Sequence, residues 1–557
     1  MKLLLATVNA IYRLLSFCLN YFPGNFSGAY TYQCLENFGR SLAGQPLIVS
    51  AALGCPANAS NPAIPADQFV QAFGGAGTTG ATTHPNINEF SWFVQDDWRV
   101  RSNLTLNLGL RWDLQDTAKP PVDNPLAVAA GIHTNQLNLD TNNFGPRLGF
   151  AWTPWASSRT VVRGGYGIFY GRTPSIMVGT AHSNNGVSVG TKTFTGADVP
   201  SYPNTKCGAP VDTPTCAAPT AGTAQATSIF VMQPNFQEPR IQQANLNVEH
   251  QLSPDVSLNV GWMMVKGDSL QRTRDINQGT PVPTAVTIAG TGQTVTYNRY
   301  PTTRPIAAFV RISQFESTSS SLYHGLFVQL NKRMSHNFQG SVAYTWSHAI
   351  DDVPDATSVV PFGSDDAKQL FDPQCPKCDR ASSYNDQRQR FVLSGIWQLN
   401  YANNLPRAGK AILGGWEIAT IFSAQSGQPY AGLVTGDPNR DGNTFTDRLP
   451  TQGRDAFVLP GQWSLDPRFT KNIDFTERVR MQLLVEAFNI FNHFNVQAVK
   501  PNEYSFNSTT LTLTPINTGV NAFRVPAQLG GGSNYPFAAG QNLNGARIFQ
   551  LGAKISF

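Results

Sequence analysis

The chain closes on a stretch, Arg547 to Phe557, whose alternation never breaks: Phe549, Leu551, Ala553, Ile555 and Phe557 fall on one face, Gln550, Gly552, Lys554 and Ser556 on the other. A period of two held to the final residue requires an extended strand with one apolar and one polar or small face. Such a strand cannot stand alone, because its backbone groups need neighbours and its apolar face needs cover. The rest of the chain must therefore supply more strands of the same kind.

It does. In Val479 to Ala487, Met481, Leu483, Val485 and Ala487 oppose Arg480, Gln482 and Glu486, and in Asn103 to Asp113 four leucines and Trp112 oppose Thr105, Asn107, Gly109 and Arg111. The same pattern marks 244–248, 256–262, 326–330, 342–346 and 391–399. Short connections at 99–103, 154–158, 251–255, 334–337 and 476–478 alternate with long ones at 114–143, 172–240, 267–322, 350–387, 425–465 and 491–545. Short on one side and long on the other predicts an all-β, transmembrane, antiparallel up-and-down barrel of about fourteen strands with long extracellular loops. A soluble sandwich or propeller would space its turns more evenly.

Composition fits that solvent. Charged residues make up 13% and aromatics 11%, yet mean hydropathy is only -0.22 and no run of 18 apolar residues occurs. Helical spans are therefore excluded, whereas a barrel hides its apolar residues at alternate positions. Tryptophans and tyrosines near segment ends, such as Trp98, Trp152, Trp262, Trp346 and Trp397, read as interfacial girdles. A net charge of +5, dispersed along the chain, excludes a nucleic-acid footprint. Residues 1–23 begin with Lys2 and run apolar, resembling a weak signal stretch interrupted by Arg13, so the barrel is expected over 24–557 with its first strand near 25–32.

The motif of greatest chemical interest is Asp437-Pro-Asn-Arg-Asp-Gly-Asn-Thr-Phe-Thr-Asp447. Asp437, Asn439 and Asp441 at alternate positions before Gly442 reproduce the first half of a calcium loop. Arg448 occupies the twelfth position, leaving Asp447 to substitute for the usual glutamate, so Ca2+ in an extracellular loop is an expectation set against plain Asx turns. Seven cysteines, at 18, 34, 55, 207, 216, 375 and 378, form no regular framework, but the 207/216 and 375/378 pairs suit oxidised loop clips. Cys375-Pro-Lys-Cys378 lacks a second ligand pair for zinc. Gly164-Gly-Tyr-Gly167 lacks the following helix of a phosphate loop and reads as room in a crowded wall. Asp351-Asp352 and Asp365-Asp366 read as solvated or ligand-facing, and His324 and His348 as rim groups. No catalytic constellation stands out and no catalysed reaction is expected.

Several segments carry a family likeness: Glu89-Phe-Ser-Trp-Phe-Val-Gln-Asp-Asp-Trp98, Asn143-Phe-Gly-Pro-Arg-Leu-Gly-Phe150, Val162-Arg-Gly-Gly-Tyr-Gly-Ile-Phe-Tyr170, Arg388-Gln-Arg-Phe-Val392 and Val485-Glu-Ala-Phe-Asn-Ile-Phe-Asn-His-Phe494. Together with Asn103 to Arg111 they resemble the barrel of TonB-dependent outer-membrane receptors, in particular the Oar-like group. The resemblance implies a bacterial outer-membrane location, lipid around the wall, a nutrient ligand held by the external loops, and TonB acting through N-terminal parts. Complete members have a barrel of about 22 strands filled by a plug, so this chain looks like a C-terminal barrel portion, N-terminally truncated. The alternatives are a passive porin-like channel and a secreted β-rich adhesive protein.

Overall fold

The computed structural model describes residues 7–15, 19–20, 27–32, 34–55, 68–78, 80, 82–157, 159–208, 218–224, 226–352, 370–402, 406, 409, 412–476, 478–496, 501–516 and 546–557. Among them, one antiparallel path runs through fourteen strands. In chain order these are β1 (Thr7–Leu15), β2 (Ile87–Arg101), β3 (Leu104–Thr117), β4 (Asn143–Trp152), β5 (Thr160–Tyr170), β6 (Arg240–Ser253) and β7 (Val256–Asp275). They continue with β8 (Phe309–Ser335), β9 (Phe338–Asp351), β10 (Gln389–Leu399), β11 (Trp416–Gln425), β12 (Gln462–Asp474), β13 (Arg480–Phe488) and β14 (Ile548–Ser556). Every pairing on the path joins strands consecutive in this order, which is the up-and-down topology of an outer-membrane barrel.

The registers explain the alternation. Leu104, Trp152, Val162, Val248, Val260, Val328, Tyr344 and Phe391 lie directly opposite one another in turn, forming an apolar row across eight strands. One residue along, Thr105, Ala151, Arg163, Asn247, Gly261, Phe327, Thr345 and Arg390 form a mostly polar row on the opposite face. The apolar face is not a protein core: Leu148 is 53% exposed, Trp346 59%, Trp397 53% and Leu551 78%. Apolar surface of that extent on both flanks of the sheet belongs against lipid, and the polar face lines the lumen.

The short turns mark one rim. His336 and Asn337 link β8 to β9 with φ of 52° and 62°, the paired left-handed conformation that lets a two-residue turn follow the twist of its strands. At the other end of the path, Ser556 is registered opposite Arg480, so Phe557 sits on this rim beside the turn that joins β12 to β13. Both terminal strands of the path, β1 and β14, have a partner on one side only among the described residues.

Two expectations are corrected. The first strand of the described path is β1, at Thr7–Leu15, registered against Ile87 to Gln95 of β2; of the described residues in 25–32, Ala29–Thr31 form a strand in a separate small sheet. The reason is that the leader-like run also has a period of two: Val8, Ala10 and Tyr12 fall opposite Val94, Trp92 and Phe90, and Arg13 opposite Glu89. Second, part of what the sequence reads as one long connection is strand. The span 267–322 is largely the upper parts of β7 and β8, with a hairpin of Val282–Ile288 and Thr294–Arg299 between them.

Above the wall the loops build sheets of their own. The Val282–Ile288 hairpin joins Leu433–Thr435, Asn502–Asn507 and Thr512–Pro515 in a five-stranded sheet over Val286, Tyr297, Val434, Leu449 and Leu513. Ala29–Thr31, Gln68–Gly74, Val189–Thr195 and Thr223–Ala224 form a second sheet, packed by Phe69, Phe73 and Phe194. Thr227–Met232 runs parallel to the upper part of β8 and covers the buried helix Ser175–Ser183. Disulfides Cys34–Cys55 and Cys375–Cys378 clip two loops; the first was not expected from spacing, and Cys216 lies outside the described residues, as does Asp365-Asp366.

The glycine run in β5 has a steric explanation. A Cβ on Gly164 would lie 2.5 Å from the Phe150 ring, which covers the glycine from the neighbouring strand. Gly164→Val should therefore force that ring off its position and cost about 1–3 kcal/mol, read as a lower temperature at which the purified protein in detergent loses its compact, faster-migrating band.

Candidate functional site

Two places on the long-loop side gather ionisable side chains. The first is the turn 437–447, immediately after Leu433–Thr435. Asn439 Oδ1 accepts from Asp441 N at 3.1 Å, Asp441 Oδ1 from Asn443 N at 2.7 Å, and Asn443 Oδ1 from Phe445 N at 3.1 Å. These are Asx turns in series, and their two-residue spacing is the same spacing that reads as a calcium loop. Asp437 Oδ2 accepts from Gly442 N at 2.9 Å. Gly442 has φ +83°, and a Cβ there would lie 2.5 Å from Arg311, whose guanidinium donates to the Gly442 carbonyl. Only glycine fits both conditions.

The four expected ligand residues are only partly brought together. Asn439 turns away, its Nδ2 donating to Phe371 O at 2.7 Å while its carbonyl accepts from Tyr300 N at 2.8 Å. Asp437, Asp441 and Asp447 lie near enough to act on one another electrostatically. Burial pushes the Asp441 carboxyl up to about 8, with Asp437 adding to the effect. Asp447 is driven well above the carboxylate range by burial and then by Asp441 and Asp437. Asp437 is raised chiefly by burial. Among the described residues, no three His, Cys, Asp or Glu side chains are gathered at metal-holding distance.

Around this turn the loops are tied by buried charge. Arg448 Nη2 donates to Asp379 Oδ1 at 2.6 Å, both residues being buried. Arg454 donates to Asp379 O at 2.8 Å and to the Asp351 carboxylate. Asp352 accepts from Ser320 N at 2.7 Å. The Asp351-Asp352 pair, expected to be solvated or ligand-facing, is thus an anchor between β8, β9 and the loop that carries Arg454. His348 pairs with Asp386 at 3.1 Å, and His324 stacks on Trp262.

The second place is a pocket of about 330 Å3 on the polar face of β2 to β5, lined by Glu89, Arg111, Asp113, Arg147, Arg172 and Glu238 among others. Arg111 pairs with Asp113 at 2.7 Å and Arg172 with Glu89 at 2.7 Å, while Arg147 lies 4.6 Å above the Phe169 ring. Glu238, 8% exposed, is pushed up to about 8 by burial and by the nearby Asp140 and Asp113, so it holds its proton at neutral pH. No sequence signal pointed to Glu238, since its neighbours come from strands and loops remote in the chain. The pocket offers both hydrogen-bond donors and acceptors to a polar ligand entering from the loop side.

A wall of alternating lipid-facing and lumen-facing rows with long loops on one rim defines an outer-membrane β-barrel. Residues 22–452 match the sequence model of the outer membrane beta barrel domain family, and the chain belongs to that family. No curated protein sequence matches the chain. Among solved structures it is similar to the outer membrane transporter YddB from Escherichia coli, at 10% identity and a TM-score of 0.44, covering 82% of this chain and 46% of that one. It is also similar to the siderophore receptor PirA from Acinetobacter baumannii, at 12% identity and a TM-score of 0.39, covering 76% and 47%. The ferric-catecholate import receptor Fiu from K12 E. coli follows at 11% identity and a TM-score of 0.37, covering 88% and 51%. The chain spans about half the length of these structures.

The buried charges make two predictions. A Glu238 pKa raised from 4.5 to about 8 means that the folded loop holds a proton the unfolded loop releases. Its stabilising contribution is complete below pH 4.5 and is lost as pH rises to about 8. Amide exchange around 172–240 should accelerate across that window, and Glu238→Gln should flatten the dependence. Arg448→Met leaves Asp379 buried and unpaired; a loss of about 3–5 kcal/mol should appear as rapid proteolysis of the loops while the membrane-embedded wall stays protected.

Proposed function

We propose that this chain forms the barrel wall and ligand-facing loops of a TonB-dependent receptor that takes up a scarce nutrient across the bacterial outer membrane. The observation that carries the reading is the combination of a lipid-exposed wall with loops folded into sheets of their own above a polar lumenal pocket. A passive channel needs no such elaborated loops, and an adhesive soluble protein has no use for apolar residues left open along the wall, such as Leu148, Trp346, Trp397 and Leu551. The segment resemblance from Glu89 to Phe494 supports the receptor reading over either alternative. On this reading the plug and the TonB-contacting segment belong to the complete receptor, the external loops select the ligand, and the chain catalyses no reaction.

The test uses the whole gene expressed in otherwise identical bacteria with and without TonB. Cells are given a defined mixture of ferric chelates, cobalamin and oligosaccharides, and compound depletion is followed by mass spectrometry. Depletion of one class that vanishes without TonB, by a protein that stays in the membrane pellet after a carbonate wash, is the expected result. Equal depletion in both strains together with steady ohmic conductance in planar bilayers would replace the receptor by a passive pore. Release into the carbonate supernatant would replace it by a secreted protein.

A further inference from the structure

We propose that the lumenal pocket between β2 and β5 binds the carboxylate of a small organic acid, which Arg147 grips with the edge of its guanidinium while Glu238 donates a hydrogen bond to the same group. In its row across the wall Arg147 stands between two glycines, Gly109 facing it from β3 and Gly167 from β5. A Cβ on Gly167 would press on the Phe169 ring at 2.9 Å, so glycine there leaves the ring its place beneath the guanidinium, 4.6 Å away. Such a stack occupies the face of the guanidinium and leaves its in-plane N–H donors free. Among the described residues Arg147 makes no hydrogen bond or ion pair.

The other ions of the lining are already committed to one another. Arg111 donates to both oxygens of Asp113, from Nε at 2.9 and 2.8 Å and from Nη2 at 2.7 Å, and Arg172 Nη2 donates to Glu89 Oε2 at 2.7 Å. Those pairs neutralise themselves, and Glu238, which keeps its proton at neutral pH, adds no negative charge; the lining is left with the positive charge of Arg147. Glu238 also accepts from the Gln115 backbone, so its proton is held by the other oxygen and is available to a ligand. A carboxylate matches this arrangement, with one charge and two oxygens for one guanidinium edge and one O–H. A sulfate-like group asks for more donors than these two side chains supply, and a cation finds the carboxylates taken. The volume of about 330 Å3 lies at the lower end of small-molecule sites, which suits a small acid.

Binding is thereby tied to the proton on Glu238. Asp140, Asp113 and Glu89 act on that carboxyl from the connection after β3, from β3 itself and from β2, and Tyr170 of β5 lies within reach of Glu238, Asp140 and Arg240. The arginines around it, Arg111, Arg147, Arg172 and Arg240, keep their charge at any pH the fold survives. As pH rises through about 8, Glu238 ionises, withdraws its donor and joins the other carboxylates in repelling an anion, so affinity falls. The inference rests on the receptor reading only in taking this face to line the path of the solute. Binding is measured on the purified chain without TonB, so either can fail without the other.

The full chain, folded in detergent, is titrated at constant ionic strength with sodium succinate, and in parallel with sodium sulfate and ethylammonium chloride, by isothermal calorimetry at about pH 7 and about pH 9.5. One saturable succinate site with Kd of about 1 mM or tighter is expected, with sulfate about tenfold weaker and no uptake of ethylammonium. Succinate affinity should drop about tenfold at the higher pH. Arg147→Gln should weaken succinate binding about tenfold or more. Glu238→Gln keeps a donor and cannot ionise, so it should bind alike at both pH values, and it carries the test if Arg147→Gln gives no compact band. No saturable succinate binding up to about 10 mM, sulfate or ethylammonium bound as well as succinate, unchanged affinity in Arg147→Gln, or the same pH response in Glu238→Gln as in the unaltered chain would overturn the proposal.

Discussion

In hydrocarbon a backbone N–H or C=O without a partner has no water to fall back on, and the rest of this structure depends on that constraint. It dictates that the chain cross the membrane as strands paired to their sequence neighbours, and the fourteen-strand path is that solution written out. Pairing in turn fixes the faces. Once Leu104 is opposite Trp152 and Trp152 opposite Val162, a slip by one residue anywhere would send Arg163 or Asn247 into lipid, so the register is held by solvent on both sides.

Beyond the lipid the constraint relaxes and a different chemistry takes over. The loops find their own hydrogen-bond partners in small sheets, and the space between those sheets and the wall is filled with arginine–carboxylate pairs rather than apolar side chains alone. Arg448, Arg454 and Arg274 each serve a buried or half-buried carboxylate from another segment. Such pairs add little by themselves, but breaking one strands a charge, so they specify which loop meets which. The serial Asx turns at 439–445 do the same locally by holding the turn's backbone, and leave Asp447 as the carboxylate with no such duty.

The wall was legible in the sequence because lipid on one side and water on the other imposes a strict two-residue period. Strands such as β3 and β13 therefore announce themselves from residue types alone. The exception is β1, whose Val8, Ala10, Tyr12 and Leu14 alternate as well, but behind Lys2 and a leucine run that together resemble a signal stretch. The loop strands were hidden for another reason. Val282–Ile288 and Thr512–Pro515 pair with segments far away in the chain, and no local pattern reports a distant partner. At the site, the spacing of Asp437, Asn439 and Asp441 was visible, but metal loops and Asx turns share it. What tells the two apart is how the carboxylates pack against distant segments, and among the described residues no three of them are gathered at metal-holding distance.

The loop sheets also differ from the tight hairpins of the wall in how much chain each contact must close. Hairpins of the wall join residues a few positions apart across turns such as His336–Asn337, whereas Thr287 meets Thr512 and Leu433 meets Asn502 only after long stretches of chain have been placed. Local contacts form fast and distant ones wait on loop closure. Closing the five-stranded loop sheet therefore carries a larger loop-closure cost than forming the tight-turn hairpins of the wall, although wall pairings such as Leu15 with Ile87 also span long stretches of chain.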